Sequence, residues 1–176
     1  MLGQQLPALV VVIPLLAAPL CAVFRRGFIG WLISVAANWL AFAAAIGLVF
    51  RVLEEGTISY AMGGWTPPIG IEYRVDLINV FVLLVVAGVG AVIIPFARTG
   101  TAARFNDTDQ AWFYTMYLLA LTGLLGVTIT GDAFNIFVFL EISSLASYVM
   151  IAMGRDRRAL TAAYRYLIMG TVGATF

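Results

Sequence analysis

The chain contains no histidine and no lysine, Cys21 is its single cysteine, and all ten basic residues are arginine. Without imidazole there is no haem ligation by histidine and no histidine-based zinc, copper or non-haem iron site. The side chain used most often as a general base near neutral pH is missing as well. One thiol cannot form a disulfide within the chain; Cys21 lies in an apolar run and reads as a small packing or lipid-facing residue. No cofactor is therefore expected. Charge is scarce: 11% of the 176 residues are charged, 62% are hydrophobic and the net charge is +1. Soluble domains average about 25% charged residues. That net charge, with no basic patch interleaved with aromatics, argues against nucleic acid as a partner. With a mean hydropathy of +1.00, there is too little polar surface to cover a water-facing globule, and the excess must face lipid or other membrane proteins.

A membrane-spanning helix needs about 20 predominantly apolar residues. Charges and turn residues cut the chain into spans at about 6–24, 28–53, 76–97, 110–130 and 134–153, with a further, incomplete one over 159–176. The expected fold is an all-α integral membrane bundle of five complete transmembrane helices plus the start of a sixth. That sixth helix reaches Phe176 without a cap or flanking tail, so a longer protein is expected. The first span has no basic residue before its apolar run and so does not read as a signal peptide. Leu20, bulky where a small residue is needed, argues against a lipoprotein cleavage site before Cys21.

Arginine asymmetry sets the expected orientation. With alternating spans, one side receives Arg25, Arg26, Arg98, Arg104, Arg155, Arg157 and Arg158, and the other only Arg51 and Arg74. The richer side should be cytoplasmic, in a multi-pass protein of the cell (inner) membrane with its N-terminus outside. Trp31, Trp65 and Trp112 then fall near the interfaces. The loop Gly64-Trp65-Thr66-Pro67-Pro68-Ile69-Gly70 falls outside; its two prolines predict an extended or hairpin-like excursion.

Two charges lie inside spans and cannot be flanks. Glu141 is the eighth residue of the fifth span, and Arg165 is six or seven residues into the sixth. A lone charge near the bilayer centre costs at least about 2.5–3.5 kcal/mol and normally marks an ion or proton path. Counted from the cytoplasmic end, Glu141 is about 18 Å deep and Arg165 about 9–10 Å, within reach of an extended arginine or one water. Arginine stays protonated, so Glu141 is the group able to carry a proton and Arg165 the one favouring its charged form. Glu141, Ser144 and Tyr148 form one helical stripe, with Ser143 and Ser147 beside it. Val138, Ile142, Leu145 and Val149 make an opposite, lipid-facing arc. A static interhelical ion pair is the alternative, although buried pairs contribute little stability.

Other polar residues read more plainly. Asp132 and Asp76 are expected to cap the fifth and third helices, with Gly131 allowing a tight turn before the former. Asn38 and Thr122 should hydrogen-bond between helices. Pro14 and Pro19 should bend the first helix, and Gly123, Gly126, Gly170 and Gly173 should permit close helix approach.

The run Thr130-Gly131-Asp132-Ala133-Phe134-Asn135-Ile136-Phe137-Val138-Phe139-Leu140-Glu141, continued by Ala146-Ser147-Tyr148, closely resembles the fifth-helix motif of the D subunits of Mrp-type cation/proton antiporters. Gly64–Ile71 and Val75-Asp76-Leu77 look like that family's outer loop and third-helix start. Ala162-Ala163-Tyr164-Arg165-Tyr166 resembles the sixth-helix segment of the wider antiporter-like family, which includes proton-pumping membrane subunits of respiratory complex I. The resemblance covers essentially the whole chain, although family members run to about 14 spans built as two inverted repeats. It implies a transporter subunit rather than an enzyme, working with other membrane subunits, protons and Na⁺. It also implies that Glu141 is the intramembrane proton carrier and Arg165 its basic modulator, usually lysine in the family. Two alternatives stand beside it: an antiporter-like subunit of a complex I or membrane-bound hydrogenase type of redox complex, and a non-transporting structural fragment.

Overall fold

The structure is a computed structural model and describes residues 5–65, 70–154 and 156–175. Six helices follow in order: α1 Leu6–Phe24, α2 Gly27–Glu55, α3 Leu77–Arg104, α4 Asp107–Ile129, α5 Ala133–Ala152 and α6 Arg157–Thr175. The first five are each long and apolar enough to cross a membrane. The helices alternate in direction, so the chain has two ends. Arg25, Arg26, Arg98, Arg104, Arg157 and Arg158 gather at one of them. At the other, a β-hairpin between α2 and α3 pairs β1 (Ile58–Ala61) antiparallel with β2 (Glu72–Val75), Tyr60 opposite Tyr73. The expected outer excursion is thus a hairpin; Thr66, Pro67, Pro68 and Ile69 themselves lie outside the described residues. Gly63 and Gly64 turn the chain at φ +66° and +79°, a region that side chains with a Cβ disfavour.

The helix bounds lie within about three residues of the expected spans except in α3, which continues through Arg104 where a polar connection was expected. Leaving the apolar zone does not stop a helix whose next residues, Thr99 to Ala103, contain a single glycine. The guanidinium of Arg98 lies 4.8 Å and 5.1 Å from the ring centres of Phe28 and Trp31, a stacking that favours the charge at this end. The stop comes at Phe105, whose backbone is extended, and Asn106 then caps α4, its side chain accepting from Asp109 N–H at 2.8 Å. Asp76 caps α3 by accepting from Ile78 and Asn79 N–H, both at 2.9 Å, as its type and position predict. α1 runs through Pro14 and Pro19 unbroken.

Helices α1 to α4 enclose two apolar cores. The larger lies toward the hairpin end and holds Val10, Leu48, Val75, Leu83, Leu125 and Ile129. The smaller, toward the arginine end, holds Ala18, Cys21, Ile94, Tyr114 and Leu118. Cys21 is a packing residue, fully buried, its thiol 3.5 Å from the Gly30 carbonyl. Between the cores a polar knot joins three helices. The Tyr117 hydroxyl on α4 lies 3.2 Å from both Asn38 Oδ1 on α2 and the Gly90 carbonyl on α3, donating to either. Asn38 therefore bonds between helices as expected. Thr122 does not: its hydroxyl donates back to the Leu118 carbonyl at 2.7 Å, the local bond always open to threonine inside a helix.

Candidate functional site

The site centres on α5. Asp132 caps it by accepting from Asn135 N–H at 3.0 Å. Gly131, expected to supply a tight turn, does something else. It has no positive φ; its N–H donates to the Glu72 carbonyl at 2.9 Å, and a Cβ there would lie 3.2 Å from Arg74 Cβ. Thr130 forms an antiparallel bridge with Tyr73. The α4–α5 link is thus tied to strand β2. Tyr73 itself is buried, its ring centre 6.5 Å from that of Phe139. Burial pushes the Tyr73 hydroxyl above its ordinary range, with Tyr60 adding to the shift, so it stays neutral.

The most buried face of α5 carries Asn135, Phe139, Ser143 and Ala146 and lies against α4. Polarity along the sequence does not single out that face. Its signal lies in the spacing of Gly123 and Gly126 on α4. A Cβ on Gly123 would come within 2.6 Å of the Phe139 carbonyl oxygen, and one on Gly126 within 2.4 Å of the Phe139 ring. Close approach is also real at Gly170, which faces the Tyr148 hydroxyl, but not at Gly173, which has nothing within 4 Å. Of the arc read as lipid-facing, Leu145 and Val149 are exposed and Val138 is half-buried, whereas Ile142 packs on the larger core.

By helical period Glu141 and Ser144 fall on the same side of α5 as Tyr148, the residue that meets α6. Tyr148 is buried, meets the Tyr166 ring edge-on at 4.9 Å and covers Gly170. Glu141 is half-buried, and no described residue gives it a hydrogen bond or an ion pair. Ser144 is half-buried without a partner among the described residues. Ser147 turns its hydroxyl to the Ser143 carbonyl at 2.8 Å and borders an apolar cleft of about 420 Å³ with Tyr117 and Gly90. No group of acidic, cysteine or histidine side chains among the described residues has the makings of a metal site.

Arg165 is where the structure departs furthest from what the sequence leads one to expect. It forms no ion pair with Glu141. Ala163, Tyr166 and Gly170 give α6 its α5-facing stripe, and Arg165 lies about 130° round the helix from it. There it is exposed and borders a shallow surface hollow with Arg157, Arg158, Thr161 and Ala162. Height separates the two charges as well. With Tyr148 level with Tyr166 and Gly170, Glu141 is level with the last turn of α6 and Arg165 with Ile151. The offset is about 15 Å along the axis, longer than an arginine side chain. Counting residues from a loop gives depth only to within the loop's own length, and it does not give the facing.

The chain has counterparts among known proteins. No family model matches the chain. The N subunit of the NADH-quinone oxidoreductase of Desulforudis audaxviator is 40% identical over 179 aligned residues, covering 98% of this chain and 34% of that protein. The D subunit of the Na(+)/H(+) antiporter of Alkalihalophilus pseudofirmus is 30% identical over 71% of this chain and 25% of its own length. The chain is a relative of the antiporter-like membrane subunits. Among solved structures, this chain superposes on the archaeal membrane-bound sulfane sulfur reductase, a respiratory membrane complex, with a TM-score of 0.84 and 30% identity, over 97% of this chain and 35% of the matched chain. It superposes on the Mrp complex from Dietzia sp. DQ12-45-1b with a TM-score of 0.83 and 26% identity, over 99% of this chain and 33% of the matched chain. The chain spans about a third of the length of the first of these relatives and of both structures, so the similarity concerns the six-helix unit described above.

Proposed function

We propose that this chain belongs to a proton-translocating membrane subunit of a multi-subunit Na⁺/proton antiporter, with Glu141 as the intramembrane proton carrier. The observation that carries the reading is the placement of Glu141. It is the one carboxylate in the middle of a span; the others cap helices, flank them or lie on the hairpin. It is half-buried, shares the helical side of Tyr148, and no ion pair with a described residue holds it in place. Desolvation makes an idle carboxylate at that depth costly. Arg165 acts on it from a distance, through its field, rather than as a contact partner.

A second reading has its own support: the 40% identity with a NADH-quinone oxidoreductase subunit and the match to a respiratory complex favour a redox-driven assembly with the same proton chemistry. Everted membrane vesicles carrying the complete subunit with its partners separate the two. In an antiporter, adding Na⁺ to vesicles with an acidified lumen collapses the pH difference. In a redox-driven pump, Na⁺ has no effect and oxidation of an electron donor such as NADH acidifies the lumen. Vesicles that do neither leave only a structural role.

The orientation belongs to the same proposal, the arginine-rich end lying in the cytoplasm. Thr101 is a poor reporter, being buried and hydrogen-bonded to Tyr114 at 2.9 Å. Gly100 is exposed with open space around it. In a chain with Cys21 replaced by alanine, Gly100→Cys is expected to resist an impermeant thiol reagent in intact cells and to react in everted vesicles. Labelling from outside intact cells reverses the orientation.

A further inference from the structure

We infer that the β1–β2 hairpin is a clamp that sets the position of Glu141, and that Tyr73 is the positioning residue through which it acts. The inference rests on the proposed role of Glu141 as proton carrier. Four observations converge on one short stretch of chain. The Tyr73–Thr130 bridge and the Gly131 N–H bond to Glu72 fasten β2 to the link that enters α5. Asp132, the next residue, caps α5, so the start of the helix is fixed relative to the strand. The Tyr73 ring then packs on Phe139. Phe139 also fills the space that the missing Cβ of Gly126 leaves open.

Phe139 is two residues before Glu141 and about 200° round the same helix, so a displacement of α5 at Phe139 carries the backbone that bears the carboxylate with it. Rotating α5 by one residue swings Glu141 about 100°, which would carry it off the side that meets α6. The hairpin is anchored in turn: Tyr60, opposite Tyr73, donates to Gln5 Oε1 at 2.5 Å, ahead of α1. Val75 is fully buried in the larger core. The clamp thus runs from the first helix, through the two strands, to the helix bearing the carboxylate. The Thr130-Gly131-Asp132 segment has its use here: Thr130 bridges, Gly131 permits strand contact, and Asp132 caps.

The test uses the complete subunit in its assembled complex, with Tyr73→Phe, Tyr73→Leu and Glu141→Gln. Two quantities are read: the pH at half-maximal transport, and the rate at which dicyclohexylcarbodiimide labels Glu141. Tyr73→Phe keeps the ring on Phe139 and should match the wild type in both. Tyr73→Leu keeps apolar bulk but loses the ring; it should change the labelling rate by about threefold or more and move the half-maximal pH by about half a unit or more. An assembled Tyr73→Leu complex with wild-type labelling and pH profile overturns the inference. So does a Tyr73→Leu complex that fails to assemble while Tyr73→Phe is normal, since the contact would then serve folding alone. Undiminished transport by Glu141→Gln would instead remove the proton-carrier reading, and the labelling rates would still report whether Tyr73 places Glu141.

Discussion

Glu141→Gln, introduced into the complete subunit and assembled with its partners, is expected to lower proton-coupled transport by about 100-fold or more while the complex accumulates as the wild type does. Glutamine keeps the size and hydrogen-bonding capacity of the side chain but cannot ionise. Because no described residue bonds to Glu141, the substitution strands no partner charge among them, and glutamine keeps the packing of the side chain. A static ion pair predicts otherwise: removing one member leaves the other buried and unpaired, at about 3–5 kcal/mol, and assembly would suffer with transport. Arg165 supplies the contrast. Two unit charges about 15 Å apart interact by about 1 kcal/mol at an effective dielectric constant of about 20. Arg165→Ala removes a charge that favours the ionised carboxylate, so the pH profile of transport should move to higher pH, by less than about one unit. A contact pair would move it by about 1–3 units. Arg165→Lys keeps the charge and should keep activity. Full transport by a well-assembled Glu141→Gln complex ends the proton-carrier reading, and a shift beyond one unit in Arg165→Ala restores the contact pair.

How far the molecule could be read from its residues depended on which physical quantity each residue reports. Span positions were legible because apolar length is a local property: α1 begins and ends where hydropathy says, and Asp76 and Asp132 cap where their side-chain chemistry says. The shared side of Glu141, Ser144 and Tyr148 was legible because helical period alone puts three residues on one face. Facing between helices was not. Nothing local in Arg165 tells that Tyr166 and Gly170, rather than it, meet α5. That choice goes with Tyr148 packing where Gly170, lacking a side chain, leaves room for its hydroxyl. The Tyr117–Asn38–Gly90 knot and the Tyr73–Phe139 contact join residues 27 to 79 positions apart, and no periodicity reports such pairs. Thr122 failed for a simpler reason: in a helix, its own carbonyls are always the nearer partners.

Gly123 and Gly126 lie one turn apart on the same face of α4, yet their alanine variants should behave differently. At Gly123 the added Cβ meets backbone: the Phe139 carbonyl oxygen at 2.6 Å and Ser143 N at 2.7 Å. Backbone atoms inside a helix cannot step aside singly, so α5 must move as a body, breaking its bonds to β2. Overpacking of this kind costs about 1–3 kcal/mol and sometimes more, a large share of a total of about 5–15 kcal/mol. At Gly126 the obstacle is the Phe139 ring, 2.4 Å from the added Cβ. That ring is a side chain, but it also packs on Tyr73, so turning away costs that contact. Shortening it should help one variant and not the other. Gly126→Ala combined with Phe139→Leu is expected to recover most of the thermal stability that Gly126→Ala loses. Gly123→Ala combined with Phe139→Leu should recover none, because the clash there is with a carbonyl that every residue carries. Thermal unfolding of the purified complex, read as two double-mutant cycles, decides it. A coupling of more than about 0.5 kcal/mol is expected between positions 126 and 139 and additivity between 123 and 139; equal coupling in both cycles would mean that α4 and α5 do not meet through glycine and ring as described.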